Sequence, residues 1–258
     1  MNYFTPKETA KRYKNGRPDF HNNTILKVKD FLQIERKFEK ALDIACGTGL
    51  STKVLLDIAE NIYGTDSSTE MLKNAFQHDK ITYQIAVAEQ QPFSNNEFDI
   101  ITVCSGVHWF DIDKFLFETN RLLKNNCFLV LYDNYFISEM VDEIKFNYWF
   151  PEIYLKAFPS PNRKNNYEWS IENLSPKGFL FIKEEIFKNT IEFTKEELIL
   201  YFTTQSNITA CIESGNSTYV DIENWLDKEL SQFFSTQKKR KINFGNWIKY
   251  LQKGTNSY

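Results

Sequence analysis

The sequence of 258 residues is poor in the residue types that build metal centres and disulfide frameworks. It has four cysteines, with no Cys-x-x-Cys pair, and three widely spaced histidines, so we expect no metal ion and no disulfide bond. No apolar stretch approaches the roughly 18 residues that a membrane-spanning helix needs, and no basic-then-apolar leader opens the sequence. These absences predict a cytoplasmic protein with reduced thiols and no membrane partner.

The sequence also lacks an excess of basic charge. Lys and Arg total 31 against 34 Asp and Glu, which gives a net charge of -3. Nucleic-acid-binding proteins more often carry a basic excess or a long basic stripe. The one tight basic cluster, residues 238–241, is typical of a solvated turn. We therefore expect no nucleic-acid partner, while the 42% hydrophobic content is ample for a buried core.

Short apolar runs alternate with helical stretches over the first half of the sequence. When strands alternate with helices, the strands pair in parallel and the helices form right-handed crossovers between them. The pattern therefore predicts an α/β fold with a Rossmann-like doubly wound sheet. Two later runs, 178–193 and 239–251, alternate like strands with one solvated face, and we expect them to pair as an antiparallel edge. The predicted sheet therefore has seven strands and is mostly parallel. The first five predicted strands are KALDIA, NIYGTD, ITYQIAV, FDIITVCS and CFLVLYD.

No linker or internal repeat divides the sequence, so we expect a single domain over residues 1–258. Within it, the pattern predicts four segments with different roles. They are N-terminal helices in 1–37, a ligand-binding core in 38–135, an aromatic insertion or lid in 136–176, and C-terminal strands and helices in 177–258.

A glycine-rich turn, LDIACGTGLST at residues 42–52, follows the first predicted strand. A strand, a glycine turn and a helix place free N–H groups at the carboxyl edge of a sheet, where α/β folds bind ligands. A nucleoside-triphosphate loop would need Gly-Lys-[Ser/Thr] at its end, and this turn has none. A dinucleotide fingerprint would need a third glycine where Thr52 stands. Asp66, at the tip of the second strand, indicates a ribose but does not by itself distinguish a dinucleotide from S-adenosylmethionine.

Four stretches in order resemble the motifs of class I S-adenosylmethionine-dependent methyltransferases of the type 11 kind. DIACGTG resembles their first motif, with Ala45 at the position of its first glycine. GTDSSTEMLKNA and AVAEQQPFSNNEFDIITV resemble the next regions. VHWFDIDKFLFETNRLLKNNCFLVLYD resembles the last, with Asn126 and Cys127 where a glycine is usual. The resemblance spans residues 38–133 and implies S-adenosylmethionine as cofactor and S-adenosylhomocysteine as product.

The same resemblance implies roles for individual residues. The turn backbone would contact the methionine part of the cofactor, Asp43 would hold the turn or the amino group, and Asp66 would bind ribose. The residues after the third strand would border the adenine, and Ser105 and Gly106 would lie beside the methyl group. The complete predicted cofactor set is Asp43, Ala45, Cys46, Gly47, Thr48, Gly49, Asp66, Ser67, Met71, Val87, Ala88, Glu89 and Ser105.

The acceptor is less closely specified by the sequence. YKNGRPDF and YFTTQS resemble a subgroup that includes trans-aconitate and juvenile-hormone-acid methyltransferases, so we expect a small-molecule acceptor, with carboxylic acids as one class. Tyr13 and Arg17 would close over the cofactor. Two alternatives exist for Arg17: it would pair with an acceptor carboxylate, or it would form a surface salt bridge. His108 is a candidate general base or a packed side chain, and an ionised carboxylate acceptor would need no base.

Other functions stay open at this point. They are an RNA or protein methyltransferase and a homologue that binds the cofactor without catalysis. A nicotinamide-dependent oxidoreductase fits less well because Thr52 interrupts its fingerprint. The sequence is compatible with a monomer or a homodimer.

Overall fold

The computed structural model describes residues 7–161, 167–235 and 238–254. The rest of the chain belongs to the predicted N-terminal, insertion and C-terminal segments and lies outside the described residues. These remaining residues are 1–6, 162–166, 236–237 and 255–258.

Seven strands within the described residues form one sheet with the order β3-β2-β1-β4-β5-β7-β6. Strand β1 pairs in parallel with β2 and β4, β2 with β3, and β4 with β5. The two alternating runs became the neighbours β7 and β6 and supply the antiparallel edge, so the predicted fold class is confirmed. The strands are β1 Phe38–Ile44, β2 Ala59–Asp66, β3 Ile81–Ile85, β4 Phe98–Cys104, β5 Leu123–Met140, β6 Phe179–Thr194 and β7 Lys239–Lys253.

Helices connect and flank these strands. Residues 17–20 separate the first two helices. Short 3₁₀ turns cover Leu55–Asp57, Val107–Trp109 and Ser175–Lys177, and one π-helical turn covers Phe150–Tyr154. The α-helices are α1 Lys7–Gly16, α2 His21–Phe31, α3 Leu50–Val54, α4 Thr69–Lys73, α5 Ile112–Leu122, α6 Ile144–Trp149, α7 Leu155–Ala157, α8 Ile171–Leu174, α9 Lys195–Thr203, α10 Ser206–Glu213 and α11 Tyr219–Phe234.

Two of these helices begin at a polar side chain that caps the first turn. The Ser68 hydroxyl accepts the Met71 N–H at 3.3 Å at the start of α4. The Asp111 carboxylate accepts the Lys114 N–H at 3.3 Å at the start of α5. Each cap satisfies one of the N–H groups that a helix leaves unpaired in its first turn.

The central strands are apolar on both faces, which is typical of parallel strands covered on both sides. Successive side chains of a strand point to opposite faces, so each strand feeds two separate clusters. Leu42, Ile44, Ile101 and Val103 belong to one buried cluster, and Ile100 belongs to the other. The same alternation assigns each polar residue at the strand ends to one face of the sheet.

The chain divides into two compact units, and three of the boundaries between them fall inside the long strands β5, β6 and β7. The expectation of a single domain over residues 1–258 stays a prediction. The first unit comprises Met1–Pro18, Tyr135–Asn162 and Lys188–Gly245, and the second comprises Asp19–Asn134, Arg163–Phe187 and Asn246–Tyr258.

Aromatic side chains form the core of the first unit. Trp149 and Phe146 stack with ring centroids 5.4 Å apart, and Phe202 lies 4.7 Å from Tyr154. The indole N–H of Trp149 donates to Glu229 at 3.0 Å, which satisfies its one polar atom. The aromatic residues of the predicted insertion therefore supply core packing here, and its role as a lid stays a prediction.

Candidate functional site

The glycine turn of the second unit begins directly after β1 and takes left-handed backbone angles three times. Ala45 has φ +56°, Gly47 has φ +55° and Gly49 has φ +77°. The Cys46 N–H donates to the Thr65 carbonyl at 2.9 Å, which fixes the turn against the end of β2. Left-handed backbone disfavours any residue with a Cβ, at about 1–2 kcal/mol. Ala45 therefore occupies the position of the missing glycine at an energetic cost.

The two glycines of the turn are required for different reasons. A Cβ at Gly49 would meet the Tyr83 hydroxyl at 2.3 Å, so close packing as well as φ excludes a side chain there. A Cβ at Gly47 would meet nothing within 4 Å, so only its φ requires glycine. The space beside Gly47 is open, and the buried Thr48 hydroxyl next to it has no hydrogen-bond partner among the described residues. An open space beside an unsatisfied hydroxyl suits a polar ligand.

Asp43 is buried beneath this turn, and its carboxylate accepts hydrogen bonds from three hydroxyl groups. Ser51 and Thr52 donate to its Oδ2, each at 2.7 Å, and Thr102 of β4 donates to Oδ1 at 3.0 Å. Burial raises the pKa of Asp43 to about 6, and the three hydroxyl donors act in the opposite direction. Thr52, which interrupts the dinucleotide fingerprint, is thus one of the donors that tie the start of α3 to β1.

Asp66 ends β2 and holds two backbone segments together. The Gly47 N–H donates to its Oδ2 at 2.9 Å, and the Ser68 N–H donates to its Oδ1 at 2.8 Å. Burial raises the pKa of Asp66, while these two N–H groups lower it. A carboxylate has about four acceptor positions, so about two remain for a ligand. The side chain is partly exposed, which leaves those positions accessible.

The other predicted residues near β2 and β3 divide into exposed and buried side chains. Ser67 is exposed beside Asp66, and Met71 is buried with 3% of its surface exposed. Val87 is 50% exposed although apolar, while Ala88 lies in the core. Glu89 accepts the Asp111 N–H at 2.8 Å and so fixes the loop after β3 to the start of α5.

The end of β4 approaches the glycine turn. A Cβ at Gly106 would meet the Ala45 Cβ at 3.0 Å, so glycine permits this close contact. Ser105 has φ +53°, and its hydroxyl donates to the Asp133 carboxylate of β5. His108 is half-buried in the following 3₁₀ turn, with its ring 4.8 Å from that of Trp109. The structure therefore brings the first motif and the end of β4 together, as the resemblance implies.

Tyr13 and Arg17 belong to the first unit. The Arg17 guanidinium lies 4.7 Å from the ring centroid of Tyr13 and 5.3 Å from that of Tyr201, and it donates to the Thr204 carbonyl at 3.4 Å. The roles predicted for both residues stay predictions.

Several residues of this region were not singled out from the sequence. Tyr83 packs under Gly49 and Gly64, and its hydroxyl donates to the Phe76 carbonyl at 2.8 Å. Ile85 is 60% exposed and lies opposite Asp66 in the register of β2 and β3. The polar Thr102 inside the apolar run FDIITVC was a signal for a buried hydroxyl, whereas nothing in the sequence marks Tyr83 as the floor of the turn.

Cysteines and metal ligands contribute little reactive chemistry here. Burial raises the pKa of the Cys46 thiol well above its usual value, so the reactive thiolate is disfavoured and packing accounts for this residue. No group of three or more His, Cys, Asp or Glu side chains able to hold a metal ion occurs in the ranges described above. No helix in those same ranges has the length and apolar character needed to cross a bilayer.

Comparison with known proteins agrees with this geometry. Residues 42–131, from the end of β1 to β5, match a family described as a methyltransferase domain. A Dictyostelium discoideum protein named as a methyltransferase is 25% identical over 244 residues, which is 91% of this chain and 89% of that protein.

Solved structures share the fold. One described as a type II methyltransferase from Anaeromyxobacter dehalogenans covers 99% of this chain and 100% of its own, with a TM-score of 0.67 at 16% identity. Phosphoethanolamine N-methyltransferase 2 of Haemonchus contortus, solved in complex with S-adenosyl-L-methionine, covers 99% of this chain and 60% of its own, with a TM-score of 0.56 at 17% identity.

Proposed function

Because the chain belongs to the class I S-adenosylmethionine-dependent methyltransferases, we propose that it methylates a small-molecule acceptor. The observation that carries the proposal is Asp66, which ends β2, receives the Gly47 and Ser68 N–H groups and keeps about two acceptor positions open. Those positions suit the two ribose hydroxyls of the cofactor. The carboxylate would thus connect the cofactor to the turn and to α4.

The glycine turn would hold the methionine part of the cofactor. Gly47 leaves open space beside the backbone, and the Thr48 hydroxyl has an unused hydrogen-bonding group. Asp43 would act beneath the turn, since Ser51, Thr52 and Thr102 already occupy its oxygens. We therefore assign Asp43 to holding the turn and not to binding the cofactor's amino group.

The loop after β3 would border the adenine. The apolar side chains of Ile85 and Val87 are 60% and 50% exposed, and an aromatic base would cover such surfaces. Ala88 would contribute backbone, and Glu89 would hold the loop through its bond to the Asp111 N–H. Met71 would pack beneath this region, since its side chain is buried.

The chemistry requires little from the protein beyond positioning. The bound cofactor supplies a methyl group on positively charged sulfur, which is already activated for displacement. Orienting the acceptor and excluding water can provide roughly 7–11 kcal/mol of the barrier reduction. Trp109 and Phe110, beside His108 at the end of β4, supply aromatic surface near Ser105 and Gly106.

Thermal unfolding in the presence of four adenosine-containing ligands tests the family's cofactor against the dinucleotide alternative. We expect S-adenosylmethionine and S-adenosylhomocysteine to raise the Tm, because a ligand that binds only the folded state stabilises it. We expect NAD and NADP to leave the Tm unchanged. Stabilisation by the nicotinamide cofactors alone would overturn the proposal.

The acceptor class needs a separate experiment. A metabolite panel with carboxylic acids, amines and alcohols, read out by S-adenosylhomocysteine formation, is the direct search. The net charge of -3 supports a small molecule over RNA. Methylation of RNA or protein substrates with no turnover of the panel would favour the macromolecular alternative, and cofactor binding with no turnover of any substrate would favour a non-catalytic homologue.

His108 is tested by the same assay. If it is a general base, the pH dependence of kcat/KM loses its acidic limb in His108→Ala. An unchanged profile would assign His108 to packing against Trp109.

A further inference from the structure

Three aspartates lie near the carboxyl ends of β1, β2 and β4 in the second unit, and their oxygens are used to different extents. Asp43 and Asp66 lie at the ends of their own strands, whereas Asp133 lies within β5, one residue after its last pair with β4. Asp43 of β1 accepts three hydroxyl groups. Asp66 of β2 accepts one N–H group on each oxygen. Asp133 of β5 accepts one hydroxyl, from Ser105, on Oδ1. Within the described residues, Oδ2 of Asp133 has no hydrogen-bond or ion-pair partner.

The position of Asp133 in the sheet follows from register and alternation. Cys104 of β4 lies opposite Tyr132 of β5 in a parallel pair, so the residues that follow each of them are also neighbours. Side chains two apart share a face, and Leu129 and Leu131 belong to the same cluster as Val103. Asp133 therefore continues the row of Leu129 and Leu131, one residue past the last pair of β4 and β5 and beside the carboxyl end of β4, where α/β sheets bind ligands.

Ser105 holds the carboxylate in place. Its N–H donates to the Tyr132 carbonyl at 2.9 Å, and its φ of +53° turns the chain away from the strand direction. A non-glycine residue with this φ is uncommon and carries strain of order 1–3 kcal/mol. The strained conformation places the Ser105 hydroxyl on Asp133, so one carboxylate oxygen is fixed and the other is left accessible on a half-buried side chain.

The neighbours of Asp133 are occupied elsewhere. The Tyr132 hydroxyl lies 3.1 Å from Nδ1 of His21, and the Asn134 amide oxygen accepts from Asn246. No Lys, Arg or His in the described ranges forms an ion pair with Asp133. A half-buried carboxylate with one fixed and one free oxygen, beside the residues proposed to lie near the methyl group, suits a hydrogen-bond donor on the acceptor.

We propose that Oδ2 of Asp133 binds the O–H or N–H group of the acceptor and takes its proton during transfer. This inference rests on the proposed function. The acceptor's oxygen or nitrogen forms the new bond to the methyl carbon, the carbon–sulfur bond breaks, and its electron pair remains on sulfur. The proton released from the acceptor passes to Asp133. The methylated atom is thus a hydroxyl oxygen or an amine nitrogen, because a second carboxylate beside Asp133 would be repelled.

The test compares Asp133→Asn with the wild type on ethanolamine, glycerol, succinate and trans-aconitate, extended to further amines, alcohols and carboxylic acids. We expect the wild type to methylate an amine or alcohol, and we expect Asp133→Asn to lower kcat on it by about 100-fold or more. Calorimetry should find the affinity for S-adenosylhomocysteine unchanged. It should also find weaker binding of that amine or alcohol to the S-adenosylhomocysteine complex of the variant.

Three further variants separate a catalytic role from a structural one. Asp57→Asn removes the same charge at an exposed position that has no partner in the described chain, and we expect wild-type activity. Asp133→Ala should regain activity when formate is added, because formate can occupy the vacated carboxylate position, whereas a folding defect would not respond. If Ser105 positions the Asp133 carboxylate, Ser105→Ala should lower kcat and leave KM unchanged.

Other results would overturn the inference. These are a wild type that methylates carboxylic acids but no amine or alcohol, an Asp133→Asn variant with wild-type kcat, or an Asp133→Ala variant that formate does not restore. Each of them leaves binding of S-adenosylhomocysteine intact. Failure of the proposed function differs, because the wild type would then fail to bind S-adenosylhomocysteine or to methylate any substrate.

Discussion

The two compact units of this chain depend on different kinds of interaction. In the first unit, aromatic rings such as Phe136, Trp149 and Phe202 pack closely, with ring centroids 4.6–5.9 Å from those of neighbouring rings. In the second unit, Asp43 and Asp66 connect separate stretches of backbone through hydroxyl and N–H groups. Apolar packing accepts many residues of suitable size, whereas these polar contacts need particular residues at fixed spacing. Recognisable motifs therefore concentrate in the second unit.

The largest effect should follow from emptying the aromatic core of the first unit. Trp149 is 2% exposed, and we expect Trp149→Ala to lower the free energy of unfolding by about 3–5 kcal/mol. Denaturant unfolding measures this loss. Tyr148, its neighbour, is 66% exposed, and Tyr148→Ala should change stability by no more than about 0.5 kcal/mol. Equal losses in the two variants would contradict the role of burial.

The next effect concerns the buried carboxylate of the second unit. Asp43→Asn places an amide opposite three hydroxyl donors, and we expect a loss of about 1–3 kcal/mol at neutral pH. Asp57→Asn is the control, since Asp57 is exposed. Urea unfolding of both variants measures the difference, and a neutral Asp43→Asn would show that the hydroxyl cluster is dispensable.

Stability should also depend on pH through Asp43. Its pKa in the folded protein is raised to about 6 from 3.8, so the folded state binds more protons than the unfolded state between these values. The contribution of Asp43 to stability therefore increases as pH falls through 6, by about 1 kcal/mol between pH 7 and pH 5. Asp43→Asn should lack this increment. An identical pH dependence of unfolding in wild type and variant would exclude it.

A single donor of the same cluster should contribute less than the whole Asp43 carboxylate. Thr52→Val keeps the shape of the side chain and removes the hydroxyl that donates to Asp43, so we expect a loss of about 1–2 kcal/mol. Thr82→Val, at an exposed position of β3, should be nearly neutral. If both variants unfold at the same denaturant concentration, the hydrogen bond from Thr52 contributes nothing to stability.

The smallest effect should have the opposite sign. Ala45→Gly removes the Cβ from a left-handed residue, and we expect a gain of about 0.5–1 kcal/mol. Ala10→Gly, within the helix α1, should instead destabilise by about 1 kcal/mol or more. Thermal unfolding of the pair measures both signs, and destabilisation by Ala45→Gly would mean that the methyl group packs favourably against Gly106.

Much of the fold could be predicted because local patterns determine it. The seven strands follow the apolar and alternating runs, and the caps at Ser68 and Asp111 follow directly from residue type. Strand ends were less certain: the run CFLVLYD predicts a strand over 127–133, whereas β5 extends from Leu123 to Met140. The additional residues join the ladder through long-range pairing, which a local pattern does not contain.

The site was predictable only where a motif describes it. Resemblance placed the turn, Asp66 and Ser105 in one region, and the structure brings them there. The left-handed φ of Ala45 could not be read from its residue type, because alanine rarely adopts it. Tyr83 and Asp133 contact residues that are distant in sequence, 34 positions from Gly49 (83 minus 49) and 28 from Ser105. Such contacts depend on the register of the sheet.

Calorimetry of S-adenosylhomocysteine binding to Asp66→Ala tests the central assignment most directly. We expect the variant to bind at least about tenfold more weakly than the wild type, because the ribose loses its acceptor and the turn loses the hydrogen bond from Gly47. Asp57→Asn, measured alongside, should bind like the wild type. An Asp66→Ala variant with wild-type affinity and an intact fold would contradict the assignment of Asp66 to the ribose.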